Sequence, residues 1–537
     1  MTHSARSVPT ALGRPASKAS GWAWRGTPLG LAVAVLAWLT ATLWARPLML
    51  PDEGRYVGVA WEMLRSGDWL TPTLDGLPYF HKPPLFYWLT AGAMRLLGVH
   101  DASARVAPLL GALLGAWALW WFTRRWLGEA PARRTMLALA VQPMFFLGAQ
   151  FANMDMLVAG CITATTALLA DAALRLEAGQ PIVRRLLWLA YGCAGLGVLA
   201  KGLIGVVIPA LVIGTWLLLA GRWRTVLRLL SLPGAVLLVV VAGPWFAAMA
   251  WLHPGFAHYF FAVQHLQRYA AGGFNNLEPA WFYPALLLAT SLPVLPWLLR
   301  GALLARPVRR QAPSASGLMG VWPAVVVLFF SLPASKPVGY VLPALGPLAV
   351  LVALGLRSAG QPVAGTGASA HWLATVASRW WGGPRTSLAL SAALCLGAVA
   401  LYTTHPAHSK AAMGHTLRAL RTPGQPVFLI DRYEFDLPLH ARLGAPVVIV
   451  SDWHNPAIAQ HDSWQHEVLD AAAFRPDQAA ARLIDTAEFR RRLCQQPVAW
   501  VVTAADQSPP LPAQASATAE AHTAEATLWR VRSACGG

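Results

Sequence analysis

Two adjacent carboxylates, Asp52 and Glu53, stand directly after Pro51, and Arg55 and Tyr56 follow them. Farther on, His81 and Lys82 sit side by side ahead of Pro83 and Pro84. Asn153, Asp155, Lys201, His258, His265, Arg268, Lys336 and Tyr340 are spread along the chain after them. Carboxylates can orient or deprotonate a hydroxyl, and lysine, arginine and tyrosine side chains hold anions through strong hydrogen bonds. Each residue also has an ordinary explanation. A lysine beside an apolar run snorkels to water, Asp155 and Lys201 make a structural ion pair, and His81 and His265 are hydrogen-bonding histidines. Their convergence argues for more, because all fall on one side of a single membrane topology. Ionisable groups at a membrane edge are costly, and a cluster of them marks a functional site.

The elements that carry these residues can be read locally. Proline ahead of two acids favours a helix start, with the acids complementing the positive helix end. On that helix Asp52 and Tyr56 share a face, as do Glu53 and Tyr56. Val57, Ala60, Trp61 and Leu64 recur at helical spacing, which predicts a helix lying on the membrane surface. A turn at Asp75-Gly76 leads into Tyr79-Phe80-His81-Lys82, which the prolines keep extended. In a strand Tyr79 and His81 face one way and Phe80 and Lys82 the other.

The membrane itself follows from composition. Of 537 residues 56% are hydrophobic and only 12% charged, against about 25% charged in soluble domains. A spanning helix needs roughly 20 mostly apolar residues. Eleven spans are expected, near 28–46, 104–123, 134–149, 155–174, 186–200, 203–220, 229–252, 281–299, 317–332, 338–356 and 386–402. The net charge of +18 then belongs to one set of loops, not to a nucleic-acid surface. Arg124, Arg125, Arg133 and Arg134, then Arg175, Arg184 and Arg185, then Arg222, Arg224 and Arg228 fall in alternate loops. Arg300, Arg306, Arg309, Arg310, Arg357, Arg379 and Arg385 continue the series. This pattern places those loops in the cytoplasm, together with the leader 1–26. The first run ends without a small-x-small cleavage site and is expected to remain as a span. The membrane part is therefore 27–402, with an outer loop at 47–103, and the tail 403–537 lies outside.

That tail is more polar. The runs PVFLI (426–430), PVVIV (446–450) and VAWVV (498–502) predict strands between helical stretches, hence a small α/β domain. Ser508–Thr527 is expected to be a loose loop. Cys161, Cys193 and Cys395 fall in spans as small packing residues. Cys494 and Cys535 fall outside, where a disulfide is permitted.

The early Asp-Glu pair is followed in order by YFHKPPLFYWL (79–89), NMDM (153–156), AKGLIGVVIP (200–209), HYFFAVQHLQRYA (258–270) and SKPVGYVLPALGPLAVL (335–351). In these motifs the chain resembles the bacterial C-type (GT-C) glycosyltransferases, nearest the aminoarabinose transferases of lipid A and more distantly the protein O-mannosyltransferases. The resemblance implies a polytopic helical GT-C fold of about 11–13 transmembrane helices with a small extracytoplasmic α/β domain. It implies an inverting transfer from undecaprenyl phosphate, or a similar polyprenyl phosphate, to a lipid A-like acceptor. The enzyme would sit in a bacterial inner membrane with its site facing the periplasm. By the same resemblance Lys82, Arg268 and Tyr340, with Lys336, hold the lipid phosphate. Asp52 lies near the acceptor and orients or deprotonates it, with Glu53 the next candidate for that catalytic role; Arg55 and Tyr56 shape the acidic helix, and Asp155 and Lys201 form a charge pair.

One position departs from the family. Where the aminoarabinose transferases have a glutamate before the lysine of the KPP motif, this chain has His81. In the family that glutamate and the histidine matching His265 can bind zinc. A His81–His265 pair would supply two imidazoles, short of a full zinc ligand set. The departure leaves the sugar open, so transfer of a hexose such as mannose to protein or glycan hydroxyls is the alternative. Transport of a polyprenyl-linked substrate is disfavoured, because no internal repeat is visible and the ionisable residues gather at one face.

Overall fold

The structure is a computed structural model and describes residues 26–267, 276–305, 313–356, 372, 383–405, 408–461 and 463–534. The leader arginines and Arg268 lie outside the described residues, as does Cys535. Each of the eleven expected spans contains helix. Val106–Leu127, Asp155–Glu177, Leu232–Leu252, Val338–Gly355 and Pro384–Thr404 are each long and apolar enough to cross a membrane. Phe282–Thr290 and Leu292–Leu304 are together long and apolar enough, and are bent by 68° at the break between them. Pro28–Thr40, Ile204–Leu219 and Ala315–Ser331 are shorter apolar helices. The third expected span is broken into Glu129–Ala140 and Pro143–Gly148. Pro143 cannot continue a hydrogen-bonded turn, and the Gln142 side chain caps the new helix by accepting from Phe145 N (2.8 Å).

The Asp155–Glu177 helix is the axis of the bundle, buried nearly throughout. It crosses Val106–Leu127 where Gly160 meets the backbone of Gly111, too close for any side chain at either position. Leu232–Leu252 and Pro384–Thr404 lie at the periphery and leave most of their apolar surface exposed, as lipid-facing helices do.

The outer loop folds as a helix, Asp52–Ser66, then a short antiparallel hairpin of β1 (Thr73–Leu74) and β2 (Leu77–Pro78), then a helix, Leu85–Leu97. The three expected tail strands are present as β3 (Val427–Ile430), β4 (Val448–Val450) and β6 (Val498–Ala504). With β5 (Leu483–Ile484), β7 (Ala515–His522) and β8 (Ala526–Ser533) they form a six-stranded sheet in the order β5-β4-β3-β6-β8-β7. The β3–β6 neighbours on the β5 side are parallel, and β8 pairs antiparallel to both β6 and β7. The loose loop expected at 508–527 is therefore corrected. Its proline-rich start is irregular, but Ala515–His522 is an edge strand. Its small polar residues show no apolar alternation, and its order comes from pairing with β8.

The tail unit also changes the setting of the Asp52–Ser66 helix, which is not a surface helix. Val57, Val59, Ala60 and Met63 are all buried, on more than one face. Gly54 admits the backbone and Phe435 of the tail unit, Arg65 donates to Leu443 O (3.1 Å), and Val447 N donates to Asp75 Oδ1 (2.9 Å). The helix is clamped between bundle and tail unit. Cys161, Cys193 and Cys395 are buried thiols, and Cys494 is disulfide-bonded.

Candidate functional site

The Asp52–Ser66 helix starts at Pro51 with both carboxylates in its first turn. Asp52, Arg55 and Tyr56, at spacings of three and four, line a cavity of about 530 Å³. Asp52 accepts from Arg55 Nη2 (3.1 Å) and leaves about half of its side chain exposed (49%). Arg55 also pairs with Glu467 of the tail unit.

Glu53 is turned roughly 100° from Asp52 on the helix and is not on the cavity wall, which corrects its place among the catalytic candidates. It is fully buried between Arg46 and Arg105, with Arg105 Nε at 3.0 Å, and it accepts from Met49 N and Ala152 N (both 2.8 Å). Burial pushes its carboxyl up, but Arg105 and Arg46 outweigh it and hold the pKa down to about 2. Arg105 also donates to Leu43 O (2.6 Å), Arg46 O (3.0 Å) and Pro47 O (2.9 Å). Glu53 thus anchors the chain where it leaves the first helix, out of reach of the cavity.

The Tyr79–Lys82 stretch belongs to no strand, and the chain bends at His81 and Lys82 instead of staying extended. The Tyr79 and His81 rings stack with centroids 4.4 Å apart, and Phe80 points away into a cluster with His253, Phe256 and Phe474. Alternation stops there, because Lys82 faces the cavity together with His81. Lys82 Nζ donates to His81 O (3.0 Å). His81 Nε2 lies 4.0 Å from Asp470, which accepts from Tyr259 OH (2.8 Å). Among the described residues no group of three His, Cys, Asp or Glu side chains is arranged to hold a metal. The backbone of His265 lies in a π-helix, His258–Gln267, and its side chain is outside the described residues.

Asp155 and Lys201 meet as an ion pair on the same cavity wall. Each sits where its charge suits the helix end, Asp155 at a first residue and Lys201 at a last one. Asn153 fixes the carboxylate, accepting from Asp155 N and donating to Asp155 Oδ2 (both 3.0 Å). Lys201 Nζ lies 4.2 Å from the centre of the Tyr340 ring, a cation–π contact. Gly339 packs directly on the Asp155 carboxylate, leaving no room for a Cβ. It lies inside the 335–351 motif, but nothing in its type singled it out.

Lys336 is not on the cavity wall. Its buried ammonium donates to Glu278 O and Pro333 O (both 2.6 Å) and to Ala334 O (3.2 Å), which ties two loops together. The structure instead supplies residues that local reading could not find. Lys410, Glu434, Glu467 and Glu525 come from the tail unit and close the far wall, with Lys410 Nζ 2.7 Å from Glu525. A second cavity of about 380 Å³ shares Asp52, Asn153, Asp155, Asn276 and Pro337 with the first. It continues among Met144, Leu147, Phe151 and Leu342. A charged chamber and a more apolar one thus meet at Asp52 and Asp155.

A family model described as dolichyl-phosphate-mannose-protein mannosyltransferase matches residues 81–248. An undecaprenyl phosphate-alpha-4-amino-4-deoxy-L-arabinose arabinosyl transferase of Sodalis glossinidius is 35% identical over 328 residues, 60% of this chain and 57% of that protein. The chain thus aligns with less than two thirds of such a relative's length. The structure of ArnT from Cupriavidus metallidurans bound to undecaprenyl phosphate is similar with a TM-score of 0.75 and 26% identity. That match covers 94% of this chain and 97% of ArnT. An oligosaccharyltransferase of Archaeoglobus fulgidus matches with a TM-score of 0.51 and 13% identity, a likeness of fold alone. The likeness thus holds in sequence over 81–248 and over about 60% of the chain, and in structure along nearly all of it.

Proposed function

We propose that this chain transfers 4-amino-4-deoxy-L-arabinose, or a closely similar sugar, from undecaprenyl phosphate to a lipid A-like acceptor at the periplasmic face of a bacterial inner membrane. The observation that carries this reading is one cavity lined by Lys82, Tyr340, the Asp155–Lys201 pair and the half-exposed carboxylate of Asp52.

The donor's leaving group is a phosphate, whose growing negative charge needs a cation more than it needs a proton. Lys82 and Tyr340, both on the cavity wall, are assigned to it together with Arg268, each by its motif. Such donors are most effective in a partly dry site. Asp52 orients the incoming oxygen, and the second cavity brings the acceptor to it from the apolar side. The oxygen attacks the anomeric carbon opposite the departing phosphate, so configuration inverts in a single displacement. An acceptor phosphate is already anionic and needs only orientation, whereas a hydroxyl also gives its proton to Asp52.

His81, where a glutamate is expected, favours keeping the hexosyl reading as the second candidate. Incubation of the purified chain with a panel of labelled undecaprenyl-phosphate sugars, with lipid A or a serine-rich peptide as acceptor, separates the two. Label on lipid A from the aminoarabinose donor is the expected result. Label on peptide from a mannose donor supports the alternative, and no transfer from any polyprenyl donor overturns both.

A further inference from the structure

Between the middle of the bundle and its far end lies an apolar cavity of about 240 Å³, lined by Leu169, Tyr191, Ile213, Gly214, Leu229 and Leu238 among others. The Asp155–Glu177 helix separates the two sites. Asp155 lines the catalytic cavity, and Glu177 at its far end pairs with Arg222 (3.2 Å) beside the short Trp223–Leu229 helix that roofs the apolar one. The Tyr191 hydroxyl donates to Leu229 O (3.1 Å) and accepts from Ser231 N (3.2 Å), so its polar atom is satisfied within the wall. A chamber with such walls suits a hydrocarbon chain better than water. Gly214 has open space where a side chain would begin, and Ala210 on the same wall is exposed, so the cavity opens sideways toward lipid.

Charge supplies the identity of the occupant. Arg184, Trp188 and Tyr191 share one helix face at spacings of four and seven, and Arg184 lies two turns, about 10 Å, nearer the helix end than Tyr191. Arg228 directly precedes Leu229, the residue that Tyr191 holds. Arg184 and Arg228 are exposed and make no ion pair among the described residues. Trp188, one turn from Arg184 toward Tyr191 on that helix, is 39% exposed, as an aromatic at the headgroup level would be.

We propose that this is a binding site for an anionic phospholipid of the leaflet opposite the catalytic cavity, with one acyl chain in the chamber and its phosphate against Arg184 and Arg228. A second protein helix is a poor fit, because the Trp223–Leu229 helix covers the chamber from the loop side. The test is native mass spectrometry of the purified full-length chain with dioleoylphosphatidylglycerol or dioleoylphosphatidylcholine. Phosphatidylglycerol should stay bound where phosphatidylcholine is lost. Replacing both arginines (R184Q, R228Q) should weaken that adduct by about fivefold each and leave phosphatidylcholine unchanged. Gly214→Leu, or Ala210→Leu if the first fails to fold, should weaken both lipids by filling the chamber. Equal retention of the two lipids overturns the proposal, as does a phosphatidylglycerol adduct indifferent to the filling variants. Preferential retention of undecaprenyl phosphate over phosphatidylglycerol overturns the choice of occupant.

Discussion

Asp52 exposes half of its side chain to the cavity while Glu53, its neighbour, exposes none. Two adjacent acids are thereby divided between the cavity wall and the packed interior. Asp52→Asn removes one charge at nearly constant shape. It should lower single-turnover transfer by about a hundredfold or more if the acceptor is a hydroxyl, and less if it is a phosphate. Undiminished transfer by this variant would remove Asp52 from the mechanism. Gly339→Ala places a methyl group against the Asp155 carboxylate and should displace it from Lys201. Overpacking of this kind costs about 1–3 kcal/mol, so both the unfolding temperature and the turnover rate should fall. An unchanged rate would show that the Asp155–Lys201 pair need not be held in place. Asp52, Lys82 and Tyr340 were legible because their types and motifs declared them. Gly339 was not, because a glycine's importance lies in what it lets approach.

At the scale of elements, Glu53 fastens the acidic helix to Arg46 and Arg105. Its carboxyl is held at about 2, below the ordinary 4.5. A depressed carboxylate contributes stability that is full above the ordinary value and is lost as pH falls through the depressed one, here between about 4.5 and 2. Removing one partner of a buried pair costs about 3–5 kcal/mol. Glu53→Gln should therefore unfold at a markedly lower temperature in detergent at pH 7, and an unchanged melting curve would contradict the anchoring role. Asp75 has the opposite sign. Burial, aided by the nearby Glu62, pushes its carboxyl up to about 8 from 3.8. The folded chain keeps a proton that the unfolded chain releases, so this contribution is full in acid and fades as pH rises from about 4 to about 8. Asp75→Asn, uncharged at any pH, should flatten the decline in melting temperature over that range, and a parallel decline in both proteins would refute it. The hydrophobic pattern was enough to place helix in each expected span, but the Asp52–Ser66 helix was misplaced on the membrane surface. Local periodicity registers an apolar face and is silent about a second one covered by Phe435 from far along the chain.

On the scale of the whole molecule, the membrane bundle brings Asp155, Lys201 and Tyr340 to one rim, the outer loop brings Asp52 and Lys82, and the tail unit closes the far wall with Lys410, Glu434, Glu467 and Glu525. The first two contributions were readable from ordered motifs and from the arginine asymmetry that put them on one side. The third carries no motif, and its acids look like ordinary surface residues until the fold sets Glu467 against Arg55. The same holds for β7, whose order depends on its partner strand. In the proposed mechanism Lys82 and Tyr340 hold the donor phosphate while Asp52 serves the acceptor. The most direct test is the dissociation constant of undecaprenyl phosphate measured side by side for the unaltered chain, Lys82→Met, Tyr340→Phe and Asp52→Asn. Loss of a charge-assisted hydrogen bond is worth about 1.5–3 kcal/mol, so Lys82→Met should weaken binding by roughly ten- to a hundredfold and Tyr340→Phe by less, with Asp52→Asn near the unaltered value. Unchanged affinity in Lys82→Met, or a loss in Asp52→Asn as large as in Lys82→Met, would contradict that division of roles.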